Sequence, residues 1–415
     1  MVDSVRRERA EPEAVGPPRR RASRVSRNRA ERGRKRRRYA GRIAAGVLVV
    51  VVVAAVFLGS RLWHAVFGGG DDYTGSGKHD IVIQIQDGDS TTAVGETLHN
   101  QGVVATVRAF VNAAHGNSKI TSIQPGFYRM RTEIPAANAV ARLADPTSRV
   151  GKLVIPEGRQ LDDTTDMKTN VVTPGILTLI SRATCVDLDG TKRCVSVDAL
   201  RAAATNSPPG VLSVPAWAVE PVTELGNDHR RLEGLIAPGT FNIDPSASAE
   251  NILGELISAG AVEYTKSGLV DTAQAMHLSP YDILVVASLV QQEANSQDFP
   301  KVAQVIYNRL NAHHTLEFDS TVNYPLDRRE VATSDADRAQ KTPWNTYVSQ
   351  GLPATAICSP GIEALRAAEH PEPGDWLYFV TIDAQGTTLF TRDYKQHLAN
   401  IELAKHNGVL DSTPR

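Results

Sequence analysis

Val285–Ser296, VVASLVQQEANS, is the run on which the reading of this chain turns. It predicts a strongly apolar helix that ends by delivering one carboxylate, Glu293, into apolar surroundings. The helix begins at Ser279–Pro280. A serine there accepts from first-turn N–H groups, and a proline at the first helical position has no N–H to leave unpaired. Asp282 stands three residues after Ser279, a capping-box-like pattern with Asp in place of Glu or Gln. Val286, Leu289, Val290 and Glu293 then fall at i, i+3, i+4 and i+7, so Glu293 continues the apolar stripe while Gln291 and Gln292 point elsewhere. A carboxylate on a buried face is costly unless it is paired or protonated, and burial raises its pKa. A general acid working near neutral pH needs that condition. The competing reading is a plain helix-end glutamate, solvated or paired with Arg309.

Outward from this helix the pattern is mixed α and β. Downstream, a helix is expected from about Pro300 to Leu310, with Val302, Val305 and Ile306 inward. Leu316–Tyr324, LEFDSTVNY, reads as a loop or strand. Pro343–Pro353 is an aromatic, Gly- and Pro-rich loop, and Ser359–Pro360–Gly361 starts a helix through Ala364, Leu365 and Ala368. Asp375–Val380 and Thr387–Thr391 form a hairpin around the Gly386 turn. Upstream, Ile81–Ile85, helices around Val94–Leu98 and Val107–Ala114, a strand at FYRM and a helix at Ala136–Leu143 make a compact unit over 80–148. A unit this small has a thin core and suits binding or spacing better than catalysis. Leu153–Gly158 (LVIPEG) and Leu232–Phe241 (LEGLIAPGTF) are strand–turn signals bracketing 162–229, a stretch that shows few periodic runs. The block 149–240 is expected to connect, 241–407 to form the catalytic body, and 408–415 to fray.

The chain of 415 residues carries a net charge of only -1, but the charge is unevenly spread. Residues 1–42 hold 16 basic and 5 acidic residues, leaving 29 basic against 41 acidic beyond them. That basic, large-apolar-poor segment predicts a disordered tail. Ile43–Gly59 follows with 17 residues and no charge, and with Leu62 and Trp63 predicts a single membrane-spanning helix over 43–63. A signal peptide is the rival, but the preceding segment is far too long and no clear cleavage site follows. The basic flank places the N-terminus in the cytosol and everything after the span outside the cytoplasmic membrane. Residues 64–79 are a flexible linker. A nucleic-acid role for the Arg-rich tail is the less simple reading, so no nucleic-acid partner is expected. Cys185 and Cys194 flank the turn-like DLDG and could bridge a hairpin in an oxidising compartment, leaving Cys358 single. No metal-ligand spacing is present, and neither metal nor cofactor is expected.

At this point several pieces coincide. ASLVQQEA, VIYNRL, LEFDSTVNY, WNTY with GLP, SPGIEAL, HP and WLYFV with Gly386 and Phe390 occur in one order and spacing that resembles the membrane-anchored endolytic murein transglycosylases, the YceG-like family. VIPEG and LEGLIAPGTF are similar to that family's shorter signatures, and 80–148 to its LysM-like module. The resemblance covers most of 80–405 and is weakest at 162–229. It implies an α+β fold with one N-terminal transmembrane helix, the LysM-like module and a mixed catalytic domain. It implies cleavage within peptidoglycan glycan strands, between N-acetylmuramic acid and N-acetylglucosamine, leaving 1,6-anhydro ends. Glycan strands, the membrane and cell-wall synthases are the implied partners.

The family's catalytic glutamate corresponds to Glu293; Gln291 stands where the signature has its first acidic residue, so one carboxylate remains in the motif. One is enough if the sugar's own 6-hydroxyl replaces water as the attacking group. Asn308, Asn345 and Tyr347 are candidates to orient acetamido or hydroxyl groups, and Tyr324 or Trp344 to stack on a sugar face, against the alternative of core packing. Asp319 and Glu317 are the rival carboxylates; Asp319 matches a family position, with a structural role, capping or pairing with Arg309, as its alternative. Ser320 replaces a usual Pro, and Thr388 a usual His. Two other functions remain open: a non-catalytic peptidoglycan-binding scaffold for synthesis enzymes, and a muramidase hydrolysing with water, for which Asp319 would be the second carboxylate.

Overall fold

The computed structural model describes residues 72–410 apart from 116, 119, 121–122 and 330–332. The expected N-terminal tail, the membrane span and the first half of the linker (64–71) lie outside the described residues. Among the described residues no helix is long and apolar enough to cross a membrane. They form a mixed α+β structure of helices and small sheets, as the sequence pattern predicts.

Two hydrophobic cores organise it. The smaller uses Asp80–Ile85 and Gly126–Arg131, antiparallel from Asp80 opposite Arg131 to Ile85 opposite Gly126. Arg149–Val150 adds a short third strand on the far edge. Helices Thr91–Asn100 and Val107–Ala114 begin at Ser90 and Thr106, whose hydroxyls accept from Ala93 N–H and Ala109 N–H. These helices and Ala136–Leu143 close over Leu98, Val103, Phe110, Met130 and Leu143.

The larger core draws its buried residues from Leu153 to Ala368. Lys152–Ile155 pairs antiparallel with Gly239–Asn242, which joins the VIPEG and LEGLIAPGTF signals into one ribbon. Helix Ala249–Ser267 leads through Gly268, at φ 102°, into Leu269–Met276 and then into Pro280–Glu293. That last helix is the centre of the body. Ile283 through Val290 are each at most 1% exposed, so the expected stripe is an all-round apolar surface. A helix apolar on every side must be enclosed on every side, and Leu269–Met276, Phe299–Asn311 and Ile362–Glu369 pack around it. Leu316–Tyr324 is not a strand: Asp319–Asn323 is a short helix and Tyr324–Leu326 a 3₁₀ turn.

The stretch 162–229 is more regular than its sequence suggests. Helices Ile176–Ala183 and Val197–Asn206 bury Ile176, Leu177 and Ile180, and Leu200, Ala203 and Ala204, in the larger core. Between them, Val186–Leu188 and Thr191–Arg193 form a hairpin through Asp189 and Gly190, both at positive φ. Cys185 and Cys194 are disulfide-bonded across its base. Its tip docks on the smaller body, where the Asp80 and Asp189 carboxylates each accept the other residue's backbone N–H at 3.1 Å.

Candidate active site

Glu293 is the last helical residue, because the chain turns extended at Ala294. The two glutamines before it fasten that end. Gln292 Nε2 donates to the Gly158 carbonyl at 2.9 Å and Gln291 Oε1 accepts from Gly361 N–H at 2.8 Å. Gly158 has φ 70°, a conformation that glycine adopts without strain. The glutamines thus tie the helix end to the loops after VIP and before the Ile362 helix, and leave Glu293 as the carboxyl on a different side.

The Glu293 side chain is partly exposed, yet protein crowds its carboxyl enough to push its pKa up to about 7. Desolvation is the main cause, and the negative charge of Asp319 acts in the same direction. The end of a helix, where unpaired carbonyls concentrate negative potential, adds to it. Against these, the Ser320 hydroxyl and backbone N–H and the Arg309 charge favour the ionised form. Ser320 Oγ is buried and makes no hydrogen bond of normal geometry.

Asp319 does not pair with Arg309. Arg338 reaches its two oxygens at 3.2 and 3.3 Å, Tyr347 donates to Oδ1 at 2.9 Å, and Thr333 makes a short bond to the same oxygen. Arg338 also lies over the Tyr347 ring, 5.1 Å from its centroid. The cluster is a fixed anion beside Glu293, with a tyrosine at its edge that is only partly buried. Arg309 serves the scaffold. Its guanidinium donates to the carbonyls of Leu377 and Leu316, each at 2.6 Å, and of Thr315 at 3.2 Å, with Glu317 at 3.8 Å. No ion pair joins it to Glu293 among the described residues, so the helix-end salt bridge that competed with catalysis is not formed.

The remaining candidates separate from this group. Asn345 is 1% exposed and its amide is used up by the chain: Nδ2 donates to Arg338 and Gln340 carbonyls while Oδ1 accepts from Tyr347 N–H. Asn308 likewise donates to the carbonyls of Gly374 and Trp376 and accepts from Gln304. Tyr324 and Trp344 are 2% and 5% exposed and meet edge to face at 5.4 Å, so neither offers a ring to a sugar. Glu293, Asp319 and Tyr347 are therefore brought together, and Asn308, Asn345, Tyr324 and Trp344 hold the frame around them. Arg338, Thr333 and the Ser320 hydroxyl were not foreseen. Arg338 sits in a polar DADR turn with no periodicity to point inward, 19 residues from its partner.

The family model for the YceG-like family matches residues 83–403. The chain belongs to the YceG-like family. Among relatives of this YceG-like chain is the endolytic murein transglycosylase of Streptococcus pneumoniae strain D39, 24% identical over 344 residues, which span 78% of this chain and 58% of that protein. The endolytic murein transglycosylase of Bacillus subtilis is 34% identical over 170 residues, covering 40% of this chain and 46% of that protein. The chain thus spans about half the length of the relatives it matches. The crystal structure of a yceG-like protein from Listeria monocytogenes shares the fold, with a TM-score of 0.50 at 24% identity, covering 78% of this chain and 99% of that one.

Proposed function

We propose that this YceG-like chain is an endolytic lytic transglycosylase of peptidoglycan, with Glu293 as acid and then base. The observation that carries the reading is one carboxyl with a pKa near 7, beside a second carboxylate already committed to Arg338, Tyr347 and Thr333. Supporting it, both relatives named above are called endolytic murein transglycosylases. In this scheme protonated Glu293 gives its proton to the oxygen leaving C1 of N-acetylmuramic acid as the C1–O bond breaks. The sugar's 6-hydroxyl then closes on C1, and its proton passes to the Glu293 carboxylate. One C–O bond breaks and one forms, the proton returns to where it began, and no water is consumed. Holding the 6-hydroxyl beside C1 makes the attack intramolecular. Asp319 keeps the proton on Glu293 before reaction and offers fixed negative charge to the positive anomeric centre as it develops.

The same reading gives the smaller body, 80–148, a LysM-like role in holding glycan. It makes 43–63 a membrane anchor with the catalytic body extracytoplasmic, near wall-synthesis enzymes. The test is digestion of isolated glycan strands by the purified chain, with mass analysis of the new ends. Anhydro-ended fragments from wild type and none from Glu293→Gln are the expected pair. Reducing ends instead would mean a hydrolase, and no cleavage at all would leave only a binding protein.

A further inference from the structure

The molecule holds a second buried carboxyl, Glu233, which the chemistry above does not use. It is 1% exposed, in the LEG turn before Gly239–Asn242. One oxygen, Oε2, accepts from Leu161 N–H at 3.0 Å and from the Tyr324 hydroxyl at 2.9 Å. Oε1 has no hydrogen-bond partner. A lone buried carboxyl of this kind costs stability that an apolar side chain would not, so what it joins is informative.

It joins the two chain segments that reach the Glu293 helix end. On one side, Leu161 lies three residues from Gly158, whose carbonyl receives Gln292. On the other, Tyr324 closes the short helix that begins with Asp319 and Ser320. Tyr324 has few other ways to sit. It meets Trp344 edge on, and the Arg230 guanidinium lies 5.9 Å from both ring centroids while bonding Asp327 at 3.0 Å. Gly234 next to Glu233 has φ 81°, and a Cβ there would stand 2.5 Å from Ala356 Cβ, so the turn that carries Glu233 packs closely on Ala356 and requires glycine.

We propose that Glu233 is a positioning residue for the reaction: through the Tyr324 hydroxyl and Leu161 N–H it fixes the distance between the Asp319–Ser320 turn and the Glu293 helix end. This rests on Glu293 being the acid of a transglycosylase. Glu233 acts on the reaction only through the groups that face Glu293, which are Asp319, Ser320, Arg309 and Tyr347.

The experiment compares Tyr324→Phe, Glu233→Ala, Glu233→Gln and Tyr264→Phe with wild type. It follows anhydro-end release over pH and thermal unfolding. Tyr264 is the control: it is 3% exposed and its hydroxyl donates to the Gly234 carbonyl at 2.7 Å, a bond that reaches neither segment. Tyr324→Phe should lower kcat about three- to tenfold, the worth of one such hydrogen bond, with KM within about twofold. The pH at which its activity declines should also move. Glu233→Ala should fall further and Glu233→Gln, which keeps an accepting oxygen, should recover most of the loss. Tyr264→Phe should lower only the unfolding temperature. If Tyr324→Phe merely copies Tyr264→Phe, the positioning role is overturned whether or not Glu233→Ala folds. If wild type releases no anhydro ends, the activity reading falls and takes this one with it.

Discussion

Glu293 and Glu233 are pushed the same way by the same cause, since desolvation lifts one to about 7 and the other to about 8. Their surroundings are otherwise opposite. Glu233 is sealed, with both segments it binds belonging to the chain itself. Glu293 is partly open, flanked by the Ser320 hydroxyl and the Asp319 carboxylate, and its helix end is held by bonds from Gln291 and Gln292. A raised pKa therefore does not by itself identify a catalytic acid. Access, and what stands ready to meet charge on the substrate, decide between them.

The largest effect expected is from removing the Glu293 proton. Glu293→Gln should reduce anhydro-end release by about 10²- to 10⁴-fold, the range for a positioned acid–base group. Its unfolding temperature should not fall, because a partly desolvated carboxyl is lost. Substantial activity in Glu293→Gln would move the chemistry elsewhere and end the contrast.

How far the sequence led toward this pair depends on what each residue's neighbours left in the pattern. The Pro280–Glu293 helix was legible because Ser279–Pro280 and an unbroken apolar run are local signals, and local signals need no fold to be read. Its enclosure on all sides was not, since a stripe and a full apolar surface differ only in who packs around them. Helices Ile176–Ala183 and Val197–Asn206 were missed because eight to ten residues show barely two turns of periodicity amid Pro-rich flanks. Tyr324 and Trp344 looked like sugar platforms because an aromatic ring has the same letter in a core as in a cleft. Asp319 could be flagged, but Arg338 could not be assigned to it over Arg309, because that choice is made by tertiary contact across the 333–338 turn. Glu233 lies in the LEG of LEGLIAPGTF, where no local pattern sets it apart from a solvated turn residue. Nothing in LEG says that its oxygen closes on Leu161 and Tyr324.

Next in size is the fixed anion. Asp319→Asn should lower kcat about tenfold if its charge assists the anomeric centre. It should also shift the pH profile in a direction that follows from sign. Activity needs Glu293 protonated, so wild-type kcat/KM should hold below pH 7 and fall as pH rises past about 7. Replacing Asp319 removes a charge that favours the proton and leaves Arg338 uncompensated nearby. Both changes favour ionised Glu293, so the decline should begin at lower pH, by roughly one pH unit. A decline that stays in place, or moves upward, would show that Asp319 does not govern the acid.

The smallest effect separates the two carboxyls by stability alone, with no substrate present. Glu233 titrates near 4.5 when unfolded and near 8 when folded. Below pH 4.5 both states are protonated and the full contribution is present. Between about 4.5 and 8 the unfolded chain releases a proton that the folded one keeps, so stability falls as pH rises through that window. Glu293 acts in the same sense up to about 7 and must be removed from the comparison. The measurement is therefore made in Glu293→Gln, with and without Glu233→Gln, following unfolding temperature from pH 5 to 8. With Glu233 present the temperature should drop across that range by a few °C more than without it, on the order set by one buried ionisation in a chain of this size. Equal slopes would mean that Glu233 is solvated in the folded state, and the sealed half of the contrast would be gone.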